Sequence, residues 1–189
     1  CLRDLGLVEG SEPFLNLLCQ GMVLKDGSKM SKSKGNIVDP NEVIDLYGAD
    51  TLRLFVMFVA PPDQSFEWSE QGLQGASRYL NRLWNLVQDH LDSESKKELD
   101  FSDSSESVTT LRNKTHQTLS KVKDDFLRRH SFNTAIASIM ELTNAIPKEF
   151  LSVNAKDFEK SSVREAINTI LISLSPITPH ITHALWNQL

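Results

Sequence analysis

The sequence predicts a mostly α-helical chain: a short mixed α/β segment over residues 1–67 that carries a Lys-rich loop, then an antiparallel helical bundle over 68–189. Three observations predict it. Beyond Ser69, apolar residues recur at three- and four-residue steps through several long stretches, the period of a buried helix face. Before Trp68 the apolar runs are short and broken by Gly and Pro. Breakers also separate the long stretches, so successive helices fold back on one another and bury their stripes together.

The elements follow in order. Leu2, Arg3, Asp4 and Leu5 read as the tail of a helix that Gly6 ends. Ser11, Glu12 and Pro13 open a short turn of helix reaching Leu18. Residues 20–24 form a short apolar strand candidate, and Asp26 with Gly27 is a turn signal. A polar, Lys-rich loop extends to Asn36, after which Ile37 and Val38 resume a strand. Asp39 caps a new helix with Pro40 at its first position and Glu42 three residues on. Gly48 ends that helix, Asp50 caps the next over 51–59, and Pro61 with Pro62 stops it.

In the second half Ser69 is the N-cap of a helix whose inward face is Leu73, Ala76, Leu80, Leu83, Val87 and Leu91. The acidic, Ser-rich tract 92–107 lacks periodicity and reads as a flexible connection. A second helix over 108–129 is striped by Val108, Leu111, Leu119, Val122 and Phe126. A third follows Asn133 with Ile136, Ile139, Met140 and Ile146 inward. A fourth over 162–174 turns Val163, Ile167, Ile170 and Leu171 inward until Ser175 and Pro176 break it. A last helix from Pro179 carries Ile181, Leu185 and Leu189.

Composition narrows the function classes. Of 189 residues 40% are hydrophobic, enough for a buried core, and the mean hydropathy of −0.28 is that of a soluble protein. No apolar run approaches the ~18 residues of a membrane helix; the best, 51–60, is interrupted by Arg53. Cys1 and Cys19 make no metal or redox spacing and read as small apolar residues of a reducing cytosol. The chain opens on Cys1 without a signal segment, so its start looks cut. The net charge of −5 excludes a generic nucleic-acid coat. Its distribution is uneven. Lys25, Lys29, Lys32 and Lys34 crowd one loop, Arg78 and Arg82 share a helix face, and Lys121, Lys123, Arg128, Arg129 and His130 crowd a helix end. Much of the acid lies in the tract 92–107, more than a Debye length of about 8–10 Å from most of these in any extended arrangement.

The chemistry is concentrated in Lys29, Met30, Ser31, Lys32 and Ser33, between Gly27 and Gly35. Lys29 and Lys32 each offer a compact, rotatable charge, Ser31 and Ser33 offer hydroxyls, and the glycines let backbone approach a polyanion. Such a set grips a triphosphate rather than attacks an electrophile. By composition alone a loop like this is an ordinary solvated turn; the order of its residues singles it out. His180 and His183, three apart with no Cys or carboxylate ligand nearby in sequence, are not read as a metal site.

The pentapeptide reads KMSKS and resembles the second of the two signature motifs of the class I aminoacyl-tRNA synthetases. Lys34, Gly35 and Asn36, followed by Val38, Asp39 and Pro40, are similar to the leucine, isoleucine and valine enzymes. YGADTLRLF at 47–55, APP at 60–62, FEWS at 66–69, the run 72–84, FNTAI at 132–136, 176–180 and Leu185 with Trp186 look most like the leucyl enzymes of bacterial or organellar type. The resemblance covers the chain except the acidic tract. The sister valyl and isoleucyl enzymes, and a helical RNA-binding module retaining the motif as a relic, are the alternatives; the 47–55 and 66–69 runs speak against the former.

The resemblance implies a part of a cytoplasmic leucine–tRNA ligase, of a family usually monomeric, acting on leucine, ATP with Mg2+, and tRNA(Leu). Residues 1–67 would be the end of the catalytic domain and 68–189 its anticodon-binding-type bundle. Lys29 and Lys32 would be catalytic, and Lys29, Met30, Ser31, Lys32 and Ser33 would bind ATP, with Met30 packing the loop. The first signature motif, HIGH, does not occur, so this stretch alone is expected not to charge tRNA. Arg78, Arg82, Lys121, Arg128 and Arg129, with Lys114, His116 and Lys123 beside them, are candidates for tRNA backbone contact, against an alternative reading as solvated helix surface. Trp68, Trp84 and Trp186 read as core or interface aromatics.

Overall fold

A computed structural model describes residues 2–10, 14, 16–93 and 105–189. The proposed helical turn at residues 11–18 lies partly outside them, and its described residues are not helical. The centre of the acidic tract, 94–104, also lies outside. Of the tract's described ends, Asp92 and Ser93 close one helix and Glu106 and Ser107 open the next.

The first strand is β1 (Val23–Lys25), and it pairs antiparallel with β2 (Ser28–Lys29), Leu24 opposite Lys29. Asp26 and Gly27 join them at φ 55° and 68°. A two-residue hairpin turn of this type needs two left-handed residues in succession, a conformation that Asp tolerates and Gly adopts freely. Ile37 and Val38 do not form the expected strand. The sheet's third member is β3 (Phe66–Glu67), parallel to β1 on its other edge, with Val23 opposite Phe66. Residues 2–7 form a turn rather than the end of a helix, closed by the Gly6 N–H donating to the Arg3 carbonyl at 2.9 Å.

Helix α1 (Pro40–Tyr47) starts as its sequence dictates, with the Asp39 carboxylate accepting from the Asn41 N–H at 2.9 Å and Pro40 at the first position. Gly48 separates it from α2 (Ala49–Val59). Asp50 was expected to cap α2, but α2 begins two residues earlier than expected, at Ala49, and the Asp50 side chain reaches across the molecule. Its carboxylate accepts the Ile181 N–H at 2.7 Å and lies 2.8 Å from His180 Nδ1, so it caps α7 (Pro179–Trp186) instead. One turn on, Arg53 donates to the carbonyls of Pro176 (2.8 Å) and Ile177 (2.7 Å). The charge that interrupts the apolar run 51–60 therefore satisfies the exposed carbonyls of a chain reversal.

The remaining helices are α3 (Glu70–Ser93), α4 (Glu106–Asp124), α5 (Phe132–Ala145) and α6 (Asp157–Leu174). Ser69 caps α3, its hydroxyl accepting the Gly72 N–H at 3.1 Å. A carbon added at Gly72 would stand 2.6 Å from the Phe55 ring, so only glycine lets α2 and α3 approach this closely. Leu54, Leu73, Leu83, Ile136, Ile139, Leu142, Ile167, Ile170 and Leu185 are fully buried and knit α2, α3, α5, α6 and α7 into one core. Burying each is worth about 1.5–3 kcal/mol.

Two departures concern α4. Leu119 does not face the core: it is 44% exposed, and Thr115 and Thr118 take the buried positions between Leu111 and Val122. The steps 111, 115, 118 and 122 hold the helical period, and the Thr115 hydroxyl satisfies itself on the Leu111 carbonyl at 2.9 Å. Nor does α4 run to 129. It ends at Asp124 and passes into a π-helical turn, Asp125–Arg129, closed by His130 in the left-handed region at φ 52°. Helix α6 starts earlier than expected, at Asp157, where Glu159 accepts the Lys156 N–H at 2.8 Å. No helix among the described residues is long and apolar enough to cross a membrane.

Candidate functional site

The hairpin sets Lys29 at the end of β2 and hands the chain directly to the loop. The Met30 N–H still reaches the Val23 carbonyl at 3.4 Å; Ser31 is extended; and a 3-10 turn, Lys32–Lys34, follows. That turn closes through the Lys34 N–H on the Ser31 carbonyl (3.1 Å) and the Gly35 N–H on the Lys32 carbonyl (3.2 Å). The hydroxyls of Ser31 and Ser33 are hydrogen-bonded at 2.7 Å. Met30 and Ser31 are half-buried, whereas Lys29, Lys32, Ser33 and Lys34 are exposed. Among the described residues no carboxylate pairs with Lys29, Lys32 or Lys34.

One side chain that sequence reasoning passed over organises this loop. Asn36 accepts the Ser31 N–H on Oδ1 at 2.9 Å. Its Nδ2 lies 3.3 Å from each of three oxygens, the carbonyls of Lys25 and Lys29 and the hydroxyl of Ser28. The hairpin turn is tied in turn to β3, the Gly27 N–H donating to Glu67 Oε1 at 3.1 Å.

The candidate tRNA-facing residues divide into two groups. Arg78 and Arg82 are exposed on α3, with Arg82 stacked 5.7 Å from the Tyr79 ring centre. Both stand at an apolar cleft of about 770 Å³ lined also by Phe55, Phe58, Tyr79 and Met140. Tyr79 is buried beneath them, its hydroxyl 3.1 Å from that of Thr143, and burial pushes its pKa up to about 12. The cations of α4 and the π turn are paired instead. Lys121 donates to Asp125 at 2.7 Å, Arg128 grips Asp124 at 2.6 and 2.8 Å, and Arg129 lies 3.4 Å from Asp125. Lys114 donates to Glu141 at 2.8 Å, and His116 lies 3.1 Å from Glu165. Lys123 is exposed with no such partner among the described residues.

Asp125 is the second residue that sequence reading missed. Its side chain is fully buried, and Oδ2 accepts from Thr134 at 2.6 Å as well as from Lys121. Burial pushes its carboxyl upward, but the bonds from Lys121 and Thr134 and the charges of Lys121 and Arg129 outweigh it and hold the pKa below the usual carboxylate value. A partial signal lay in the sequence: cations stand four residues to either side of it. Of the tryptophans, Trp68 packs edge-on to Phe55 at 5.3 Å, Trp84 lies partly buried against the core, and Trp186 is 47% exposed.

The geometry can be set beside known proteins. The model for "tRNA synthetases class I (I, L, M and V)" matches residues 6–69, and that for "Anticodon-binding domain of tRNA ligase" matches 108–189. The leucine–tRNA ligase of Methylobacillus flagellatus is 54% identical over 189 residues, all of this chain and 23% of that protein. That of Saccharophagus degradans is 54% identical over 187 residues, 98% of this chain and 22% of the relative. This chain thus spans less than a quarter of the length of these curated relatives. Among solved structures, a ternary complex of the Agrobacterium radiobacter K84 LeuRS with tRNA and LeuAMS has a TM-score of 0.83 at 31% identity, covering 99% of this chain and 24% of that one. The Mycobacterium tuberculosis methionyl-tRNA synthetase, in complex with methionyl-adenylate, shares the fold at a TM-score of 0.75 and 20% identity, over 89% of this chain and 37% of that one.

Proposed function

Because the chain belongs to the class I tRNA synthetases, on their leucine branch, we propose that it is the part of a cytoplasmic leucine–tRNA ligase that supplies the ATP loop and a tRNA-contacting bundle. Residues 1–67 form the end of the catalytic domain in this reading, and 68–189 the bundle. The observation that carries it is the state of the two loop ammonium groups: Lys29 and Lys32 stand exposed, with no carboxylate partner among the described residues, on a loop fixed by its own hydrogen bonds.

In the first half-reaction an oxygen of the leucine carboxylate bonds to the α-phosphorus of ATP, the bond from that phosphorus to the β-bridging oxygen breaks, and pyrophosphate departs. Negative charge grows on the leaving group. A cation aimed there gains more in the transition state than in the ground state and so raises the rate rather than the affinity alone. Lys32 contacts the departing phosphates and Lys29 assists; the Ser31–Ser33 hydroxyl pair shapes the turn and Met30 seats it. ATP enters as its Mg2+ complex, which neutralises part of the remaining charge. The leucyl group then passes to the terminal adenosine of tRNA(Leu), whose backbone meets the bundle. Arg78 and Arg82 are its foremost contacts, since they stand exposed on α3 with no carboxylate partner among the described residues, and the paired Lys121, Arg128 and Arg129 rank after them.

The test is Lys32→Ala in the full-length protein. Removing one preorganised donor costs about 3–4 kcal/mol, so ATP–pyrophosphate exchange is expected to fall a few hundredfold while leucine binding stays as it was. An unchanged exchange rate sinks the reading.

A further inference from the structure

We propose that Asn36 is a positioning residue for adenylate formation, holding the loop in the shape that carries Lys29 and Lys32 together; the inference rests on the reading of that loop given above. The loop has little else to fix it. Over residues 29–35 the lysine side chains are exposed, Met30 is only half-buried, and beyond the strand ladder two of its three backbone bonds close only its own 3-10 turn. The third, from Met30 to Val23, is long at 3.4 Å.

Asn36 supplies what is missing, through both ends of its amide. Oδ1 takes the N–H of Ser31, the residue immediately before Lys32. Nδ2 faces the carbonyl of Lys29 itself and, across the hairpin, the Lys25 carbonyl and Ser28 hydroxyl. The two ammonium-bearing residues are thereby tied through one planar group to the strand pair beneath. The amide orientation is fixed by chemistry: a flipped amide would set its oxygen against two carbonyl oxygens and its NH2 against an N–H. No other residue type of this size offers an acceptor and two donors in one plane. Asp keeps the acceptor but turns a negative oxygen toward two carbonyls. Ala keeps neither.

The experiment compares Asn36→Asp, Asn36→Ala and Lys32→Ala, and the Asn36→Asp/Lys32→Ala pair, in the full-length protein, reading ATP–pyrophosphate exchange, leucine binding and the thermal midpoint. A reacting group displaced by about 1 Å can cost about a hundredfold in rate. Exchange kcat is therefore expected to fall about 10- to 100-fold in Asn36→Asp, with leucine affinity within about twofold of the parent and the thermal midpoint unmoved. The uncharged Asn36→Ala should fall comparably, which separates lost bonds from an added charge. Because Asn36 acts through Lys32 and, beside it, Lys29, the paired variant should be clearly faster than the product of the two single losses predicts. Normal exchange in either Asn36 variant beside a slow Lys32→Ala overturns the proposal and leaves the loop's reading intact. Losses that multiply in full in the paired variant overturn it too, since Asn36 would then act independently of the lysine pair. Normal exchange in Lys32→Ala removes the loop's reading itself, and the proposal with it.

Discussion

The hairpin loop and the far end of α4 are both rich in cations, and they hold them differently. In the loop, Lys29, Lys32 and Lys34 follow a strand end and a 3-10 turn and meet no carboxylate among the described residues. At the end of α4, Lys121, Arg128 and Arg129 sit four residues from Asp125, Asp124 and Asp125 respectively, and each is paired. A helix stacks residues four apart on one face, so an acid written at that spacing spends the charge of its neighbour. A turn that changes direction at every residue brings no such partner. These two sets of three are therefore unequal in what they offer an anion: the loop's meet no carboxylate among the described residues, and Lys121, Arg128 and Arg129 must first give up a bond.

The largest effect that can break this comparison lies at Asp125. Asp125→Ala removes a fully buried carboxylate that accepts from Lys121 and the Thr134 hydroxyl and lies 3.4 Å from Arg129. A hydrogen bond to a charged group contributes about 1.5–3 kcal/mol, and a loss in that range is expected here, read from the shift in the urea unfolding midpoint. Lys32→Ala should move the same midpoint by less than about 0.5 kcal/mol, as exposed positions do. Equal losses at the two sites would show that the loop's cations also hold the fold.

A smaller effect sharpens the contrast within the bundle. Arg82 has only the Tyr79 ring as a partner among the described residues, while Arg128 is held by two bonds to Asp124. Arg82→Ala is expected to weaken binding of tRNA(Leu) about fivefold and to flatten its salt dependence by about one counterion. Arg128→Ala should change it less than about twofold, because an exposed pair must break before a phosphate replaces it. Filter binding of the full-length protein across a salt series measures both. A greater loss at Arg128 would assign the bundle's contact to the π turn.

Much of the architecture was legible in the sequence because it rests on local rules. The stripe from Leu73 to Val87, the Ser69 and Asp39 caps and the Asp26–Gly27 turn each depend on a few adjacent residues, and each appears as expected. What was not legible depends on chain meeting chain. Asp50 was read as the cap nearest to hand, α2, but its partner lies 131 residues away in α7. β3 pairs in parallel with β1 from beyond two helices, which no neighbouring pattern announces. Leu119 misled by its type: an apolar residue is not thereby a buried one, and the helical step chooses Thr118. In the site, the identity of the loop could be read but not its mooring. Asn36 finds two carbonyls and an N–H that converge only once the hairpin has closed. The π turn adds a residue to α4's last loop, and a strict helical period cannot foresee which carboxylate that carries inward.

The smallest effect separates the two regions by acid. The bundle's paired carboxylates titrate below their ordinary values. Arg128 bonded to Asp124 lowers that carboxyl from 3.8, Lys114 bonded to Glu141 lowers that one from 4.5, and at Asp125 the partners prevail over burial. A carboxyl whose folded pKa is depressed lends stability above its unfolded value and loses it as pH falls through the folded one. The bundle is therefore expected to weaken as pH drops below about 4.5, progressively and through the range beneath 3.8. The loop's lysines have no carboxylate partner among the described residues to lose over that range. Urea midpoints measured from pH 6 to pH 3 should fall, and fall less steeply in Asp124→Asn, where one such link is already gone. A midpoint that rose with acid would mean these carboxylates are strained rather than satisfied, and that the cations of α4 are held in place by packing alone.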